Sequence, residues 1–126
     1  MEGFQEKNSI RRQLLLEDIE KLKKTYLPMT ETAFYILLAL TEPRHGYGIS
    51  KFVTELTEGR IKLGSGTIYG TLTKMQRDKI IEVFDDSDKR IIYDITELGR
   101  AVLEAEAERI SKLSRDAAAV LSKGEM

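Results

Sequence analysis

Two prolines, Pro28 and Pro43, bracket the longest apolar run of the chain, Ala33 to Leu40. Proline pushes the residue before it out of the helical region and cannot donate to an intrahelical ladder, so each proline is a boundary. Thr30 is placed to cap the start of the segment, and Glu31 suits the positive end of a helix dipole. The spacing predicts a helix over Glu31 to Leu40 that is apolar on most sides: Ala33, Phe34, Ile36, Leu37, Leu38 and Leu40. The run is far short of the roughly 20 residues a bilayer span needs. Such a helix belongs in a core, and the rest of the chain must be built around it.

The flanks supply partners. Residues 8 to 25 read as an amphipathic helix in which Ile10, Leu14, Ile19 and Leu22 recur at helical spacing and Leu15 and Leu16 widen the stripe. After Pro43 comes a glycine-rich turn, Arg44 to Gly48. A helix over about Tyr47 to Thr57 follows, with Ile49, Phe52, Val53 and Leu56 on one face and Gly59 placed to end it. A third helix, about Ser65 to Arg77, has only a narrow apolar stripe of Ile68, Leu72 and Met75. Two short strands are expected at Ile80 to Phe84 and Arg90 to Ile95, the second with Ile91, Tyr93 and Ile95 on one face. The polar residues Asp85 to Lys89 make the turn between them. Thr96 can cap a long helix from Glu97 to about Leu121. The fold class is therefore mostly α (α+β): a winged helix-turn-helix over 29–96, an N-terminal helix or arm over 1–28 and a long C-terminal helix over 97–126.

Composition excludes several classes of function. With no Cys, there are no disulfides, thiolate nucleophiles or common structural zinc sites. His45 is the only histidine, and no Ser-His-Asp set or phosphate-binding glycine loop occurs, so no enzyme, cofactor or metal site is expected. The aspartates at 85, 86 and 88 lack the ligand pattern of a calcium hand. His45 reads as a turn residue rather than a base. The polar first residues do not form a secretory signal, and a cytoplasmic protein is expected. The net charge is −1, yet between Arg44 and Lys79 seven basic residues face only Glu55, Glu58 and Asp78. Local charge, not the sum, is what a nucleic acid meets.

The third helix carries chemistry suited to DNA. Its start presents Gly64, Ser65, Gly66 and Thr67, where backbone amides attract phosphate. The hydroxyls of Ser65, Thr67, Tyr69 and Thr71 can bond phosphates or base edges, and Lys74 can neutralise a phosphate. Lys89 and Arg90 at the wing can do likewise. The competing reading is a winged-helix docking module for proteins; an apolar patch on this face would favour it.

Four segments go further. Leu27 to Leu40, His45-Gly46-Tyr47-Gly48-Ile49, Gly66-Thr67-Ile68-Tyr69-Gly70-Thr71-Leu72 and Ile91 to Arg100 resemble, in order and spacing, the motifs of PadR-type regulators. The resemblance covers roughly residues 27 to 103. It implies a transcriptional regulator, commonly a repressor, that binds palindromic double-stranded operator DNA as a homodimer. Carried over residue by residue, DNA contacts fall on Tyr47, Lys51, Ser65, Thr67, Tyr69, Thr71, Lys74, Lys89 and Arg90. Dimer contacts fall on Leu98, Val102, Ile110, Leu113, Ala117 and Val120 of the C-terminal helix, with Leu14 and Leu22 of the N-terminal one. The chain departs from the family pattern at Ser65, where proline is frequent, and in its wing, where three aspartates would repel phosphate. Some relatives respond to flat aromatic compounds. This chain has no Trp, and its terminal helices offer only aliphatic residues with Phe4 and Tyr26, so no specific small-molecule effector is expected, although the resemblance leaves release by one open.

Overall fold

The computed structural model describes residues 2–86 and 90–124, without the side chains of residues 2 and 4. Capping residues set the helix starts. Thr30 Oγ1 accepts from the Ala33 N–H at 3.1 Å and opens α2 (Glu31–Ala39), and Thr96 Oγ1 accepts from the Gly99 N–H at 3.1 Å and opens α5 (Glu97–Gly124). His45 does the same for α3 (Gly46–Leu56): its Nδ1 accepts from the Gly48 N–H at 2.9 Å. Glu58 and Gly59 end that helix in the left-handed region, at φ 51° and 81°, and the Gly59 N–H donates to the Thr54 carbonyl at 2.8 Å. The third predicted helix forms α4 (Ser65–Arg77), as the Ile68, Leu72 and Met75 stripe predicts; all three side chains are buried.

The N-terminal helix α1 (Glu2–Tyr26) begins six residues earlier than its apolar stripe suggests. The three-stranded antiparallel sheet contains one strand that local sequence does not announce, β1 (Arg44–His45). It pairs with β3 (Ile92–Ile95) in the register Arg44 with Tyr93 and His45 with Ile92, and β3 also pairs with β2 (Ile81–Asp85). A register irregularity between Val83 and Asp85 lies in the outer strand of this hairpin. The alternation expected of the second strand holds for Tyr93 and Ile95, which are buried, but not for Ile91, which precedes the strand and is exposed.

The core joins Ile36 and Leu37 of α2 and its C-cap Leu40, Ile49 and Val53 of α3, the α4 stripe, Ile80 and Ile81 at the start of the hairpin, and Val102 and Leu103 of α5. Val102, expected at the dimer contact, therefore serves the chain's own core: it is fully buried without any partner. Leu22 likewise packs against this core, and Leu98 is half-buried. The remaining expected dimer residues, Leu14, Ile110, Leu113, Ala117 and Val120, are exposed. Among the described residues no helix is long and apolar enough to cross a membrane, and no group of three or more His, Asp or Glu could hold a metal ion.

Candidate nucleic-acid interface

The outer face of α4 is unusual in what it lacks. Gly64 precedes the helix and has no side chain to cap it, so its first-turn N–H groups receive no side-chain cap bond. Ser65, Gly66, Thr67, Tyr69, Gly70, Thr73 and Lys74 are all exposed. A Cβ built on Gly66 or Gly70 would meet nothing within 4 Å. Glycine in an exposed helix interior costs about 1 kcal/mol relative to alanine. Among the described residues no contact within the chain explains that cost, and the two positions leave the helix backbone open to solvent.

Two lines of side chains flank this low face. On one side Thr71, half-buried, and Lys74 border a cleft shared with Tyr26, Pro28, Met29 and Thr30 at the α1–α2 junction. Lys74 Nζ stands 5.3 Å from the Tyr26 ring centroid. The Tyr26 hydroxyl donates to Asp78 Oδ2 at 2.6 Å, tying the last residue of α1 to the C-cap of α4. Burial first, and this hydrogen bond second, push the Tyr26 phenol well above its ordinary value, so it remains a donor across the physiological range.

On the other side Tyr69 reaches back over the start of α3. A Cβ on Gly46 would stand 2.6 Å from the Tyr69 hydroxyl oxygen, so glycine there is what lets the phenol lie against the helix start. Tyr69 is still 51% exposed at its outer edge, and Tyr47 beside it is 76% exposed. His45, Gly46, Tyr47, Tyr69, Arg90 and Ile91 line a cleft of about 340 Å³ at this corner. Lys51 is exposed on α3, while Ser50 helps hold the loop before α4 through a 3.4 Å bond to the Leu63 carbonyl. Arg90 lies at the edge of the wing, and Lys89 falls outside the described residues.

Part of the basic excess legible in the sequence is engaged internally. Arg44 Nε donates to the Ala39 carbonyl at 2.8 Å, its guanidinium lies 4.3 Å over the Phe52 ring, and Glu42 is 3.5 Å away. Arg60 bonds Glu31 and the Tyr35 hydroxyl. Neither arginine belongs to the α4 face. The structure thus brings Tyr47, Ser65, Thr67, Tyr69, Thr71, Lys74 and Arg90 around one helix, with Lys51 on the neighbouring one. The sequence reading missed His45 as a member of this cluster. The sequence shows His45 only as a turn residue; its place in the cluster comes from the Gly48 N–H on one ring nitrogen and Arg90 beside the other.

Residues 35–105 match the sequence model described as the transcriptional regulator PadR-like family. Over 80 residues, the chain is 30% identical to an uncharacterized 37.1 kDa protein of a Streptomyces fradiae transposon, an alignment that covers 63% of this chain and 23% of that relative. The chain thus spans less than a quarter of that curated relative's length. Among solved structures, a PadR family transcription regulator from Clostridium difficile superposes with a TM-score of 0.61 at 21% identity, covering 73% of this chain and 99% of that one. MepR, a transcription regulator of the Staphylococcus aureus multidrug efflux pump MepA, gives 0.62 at 18% identity, covering 94% and 83%. At such identities these likenesses are of fold, and the fold is the winged helix.

Proposed function

Because this chain belongs to the PadR-like family of transcriptional regulators, whose members are regulators and not enzymes, we propose that it binds double-stranded DNA in a sequence-specific manner as a homodimer and acts as a repressor at a palindromic operator. The observation that carries this reading is the exposed, glycine-thinned polar face of α4, flanked by Thr71 and Lys74 on one side and Tyr69, Tyr47 and Arg90 on the other. The major groove is wide enough for one helix, and a face without bulky side chains brings backbone amides close to phosphate. The winged body, 29–96, would contact DNA, and 1–28 with 97–126 would pair the subunits.

Binding of the purified chain to a duplex from its own promoter, with random duplex as competitor, tests the reading. Saturable binding that survives the competitor supports a sequence-specific regulator. No binding to either duplex at low salt leaves a protein-docking winged helix. A helix-specific test accompanies it. Gly70→Ala is expected to raise the unfolding free energy by about 1 kcal/mol, because the added methyl enters open space on a helix. The same change should weaken DNA binding. Stabilisation with unchanged affinity would remove α4's outer face from the interface.

Pairing rests on apolar side chains that the chain does not cover. Ile10, Leu14 and Leu16 on α1 and Ile110, Leu113, Val120 and Leu121 on α5 are each at least 40% exposed. Two copies burying such stripes against each other gain the hydrophobic energy that a single chain leaves unused. The double variant Leu113→Asp, Val120→Asp should sediment as a monomer while keeping its helical circular dichroism. A dimer of undiminished stability would place the subunit contact elsewhere.

A further inference from the structure

Where β1, the start of α3 and the lead-in to β3 meet, two hydrogen-bond donors face each other. His45 Nδ1 accepts from the Gly48 N–H at 2.9 Å. A ring nitrogen that accepts carries no hydrogen, so the imidazole hydrogen sits on Nε2. Arg90 Nη1 stands 3.0 Å from that same Nε2. A guanidinium only donates. The other tautomer would turn Nε2 into an acceptor for Arg90 but set an Nδ1–H against the Gly48 N–H; a doubly protonated ring would oppose both. No state of the ring satisfies both neighbours within the chain. An anionic oxygen seated against the pair resolves the conflict, because it accepts from the Nε2–H and from the guanidinium together.

The surroundings suit such a guest. The cleft beside the pair is also lined by Tyr47 and Tyr69, whose phenols add two O–H groups, and no carboxylate is among its described lining residues. It opens next to the exposed face of α4, since Tyr69 belongs to both. The sheet register brings the partners together: His45 pairs with Ile92, two residues after Arg90.

We propose that this cleft is a phosphate seat in which His45 Nε2–H and Arg90 grip one group jointly, and that the group is a phosphodiester of bound duplex DNA. The last clause rests on the reading of the chain as a DNA-binding protein. His45 then has two roles at once: its Nδ1 holds the start of α3 and its Nε2 reports to the ligand. Arg90 acts with it, not as an independent wing charge.

The chain has one histidine, so the imidazole nitrogen spectrum of the full-length protein contains one ring. Titration with a mixed-sequence duplex at low salt should move the Nε2 resonance, and Arg90→Ala should abolish that movement. His45→Asn preserves the cap, since an asparagine oxygen accepts from the Gly48 N–H as the ring does, but its shorter side chain places no N–H at the Nε2 position beside Arg90. It should bind the duplex about tenfold more weakly, with unchanged melting, the loss of one hydrogen bond to a charged group. Combined with Arg90→Ala it should lose less than the product of the two single effects. Wild-type binding with a stationary ring signal and an undiminished His45→Asn affinity would overturn the phosphate seat and leave the DNA reading intact. A ring that moves with inorganic phosphate, but stays still when the duplex binds, would overturn the assignment to DNA in favour of a free anion. Failure of the wild-type protein to bind any duplex would overturn both readings together.

Discussion

Gly99→Ala is expected to destabilise the protein by about 3 kcal/mol or more, although the same change in most helices is stabilising. The reason is contact with backbone. A Cβ at position 99 would lie 2.0 Å from the Ile80 carbonyl oxygen and 2.9 Å from both the Ile80 carbonyl carbon and Ile95 Cγ1. Ile80 has little room to retreat. Its N–H donates to the Met75 carbonyl at 3.1 Å, and its own carbonyl accepts from the Thr96 N–H at 3.1 Å. Thr96 in turn donates its hydroxyl to the Lys79 carbonyl at 2.8 Å while capping α5. The hairpin start and the α5 start are thus pressed together through a glycine, and any side chain there separates wing from helix. The midpoint of thermal unfolding should fall by on the order of 10 °C. Gly70→Ala, measured alongside, should move the opposite way; a Gly99→Ala protein that melts at or above the wild type would refute the close approach.

Glu106→Ala should produce a loss of similar size, about 3 kcal/mol, by a different mechanism. The Glu106 side chain is fully buried. It accepts the Met29 N–H at 2.6 Å, just before α2, and both Nε and Nη2 of Arg109. Truncation leaves the Met29 donor without a partner and opens a cavity. Exposed pairs such as Lys112 with Glu108 lack both penalties and are worth well under that. The hydrogen bonds from Arg109 first, and then the Met29 N–H, hold the Glu106 carboxyl below its ordinary value of 4.5, against burial, which pushes the other way. A carboxyl with a depressed folded value contributes stability that is present above its unfolded value and lost as pH falls through the folded one. Stability should therefore decline on acidification below about pH 4.5. Glu106→Gln should flatten that part of the pH profile, and an identical acid limb in wild type and variant would assign it to other carboxylates.

These two positions also mark where a sequence can and cannot be read. Periodicity and caps are local, so the order of helices, the Thr30 and Thr96 caps, the hairpin and the narrow stripe of α4 are legible from neighbours along the chain. Glu106 is not. It falls on the face of Gly99, Val102 and Leu103, which Glu104 and Glu108 do not, but that a carboxylate there is buried rather than exposed depends on the distant Met29 N–H. Gly99 looks like an ordinary helix weakness until Ile80 is placed against it. Strand β1 is two residues long and exists through its pairing with β3, Arg44 with Tyr93 and His45 with Ile92, so no window around Arg44 contains its cause. Val102 lies on the same heptad-like stripe as Ile110 and Leu113. A stripe shows which side of a helix is apolar but not whether its own chain covers it, and along α5 the chain's own core covers the stripe as far as Glu106 and leaves it exposed beyond. His45 was legible as a turn residue but not as a cap, because its role needs the geometry of Gly48.

The bond from Tyr26 to Asp78 joins the far end of the N-terminal arm to the far end of α4. From Leu14 to Tyr26 that arm is a rod of roughly 18 Å at the rise of an α-helix. In a dimer built on the exposed stripes, the two α4 helices would therefore stand at the tips of a caliper whose jaws are stiff rods rather than slack tethers. The gap it measures would be set by how the rods cross. A small rotation where the subunits meet, whether produced by sequence or by a bound molecule, would open or close the jaws by a distance proportional to the rod's length. On the proposed reading, the protein would then fit one separation of DNA half-sites and reject its neighbours without altering a single side chain of α4.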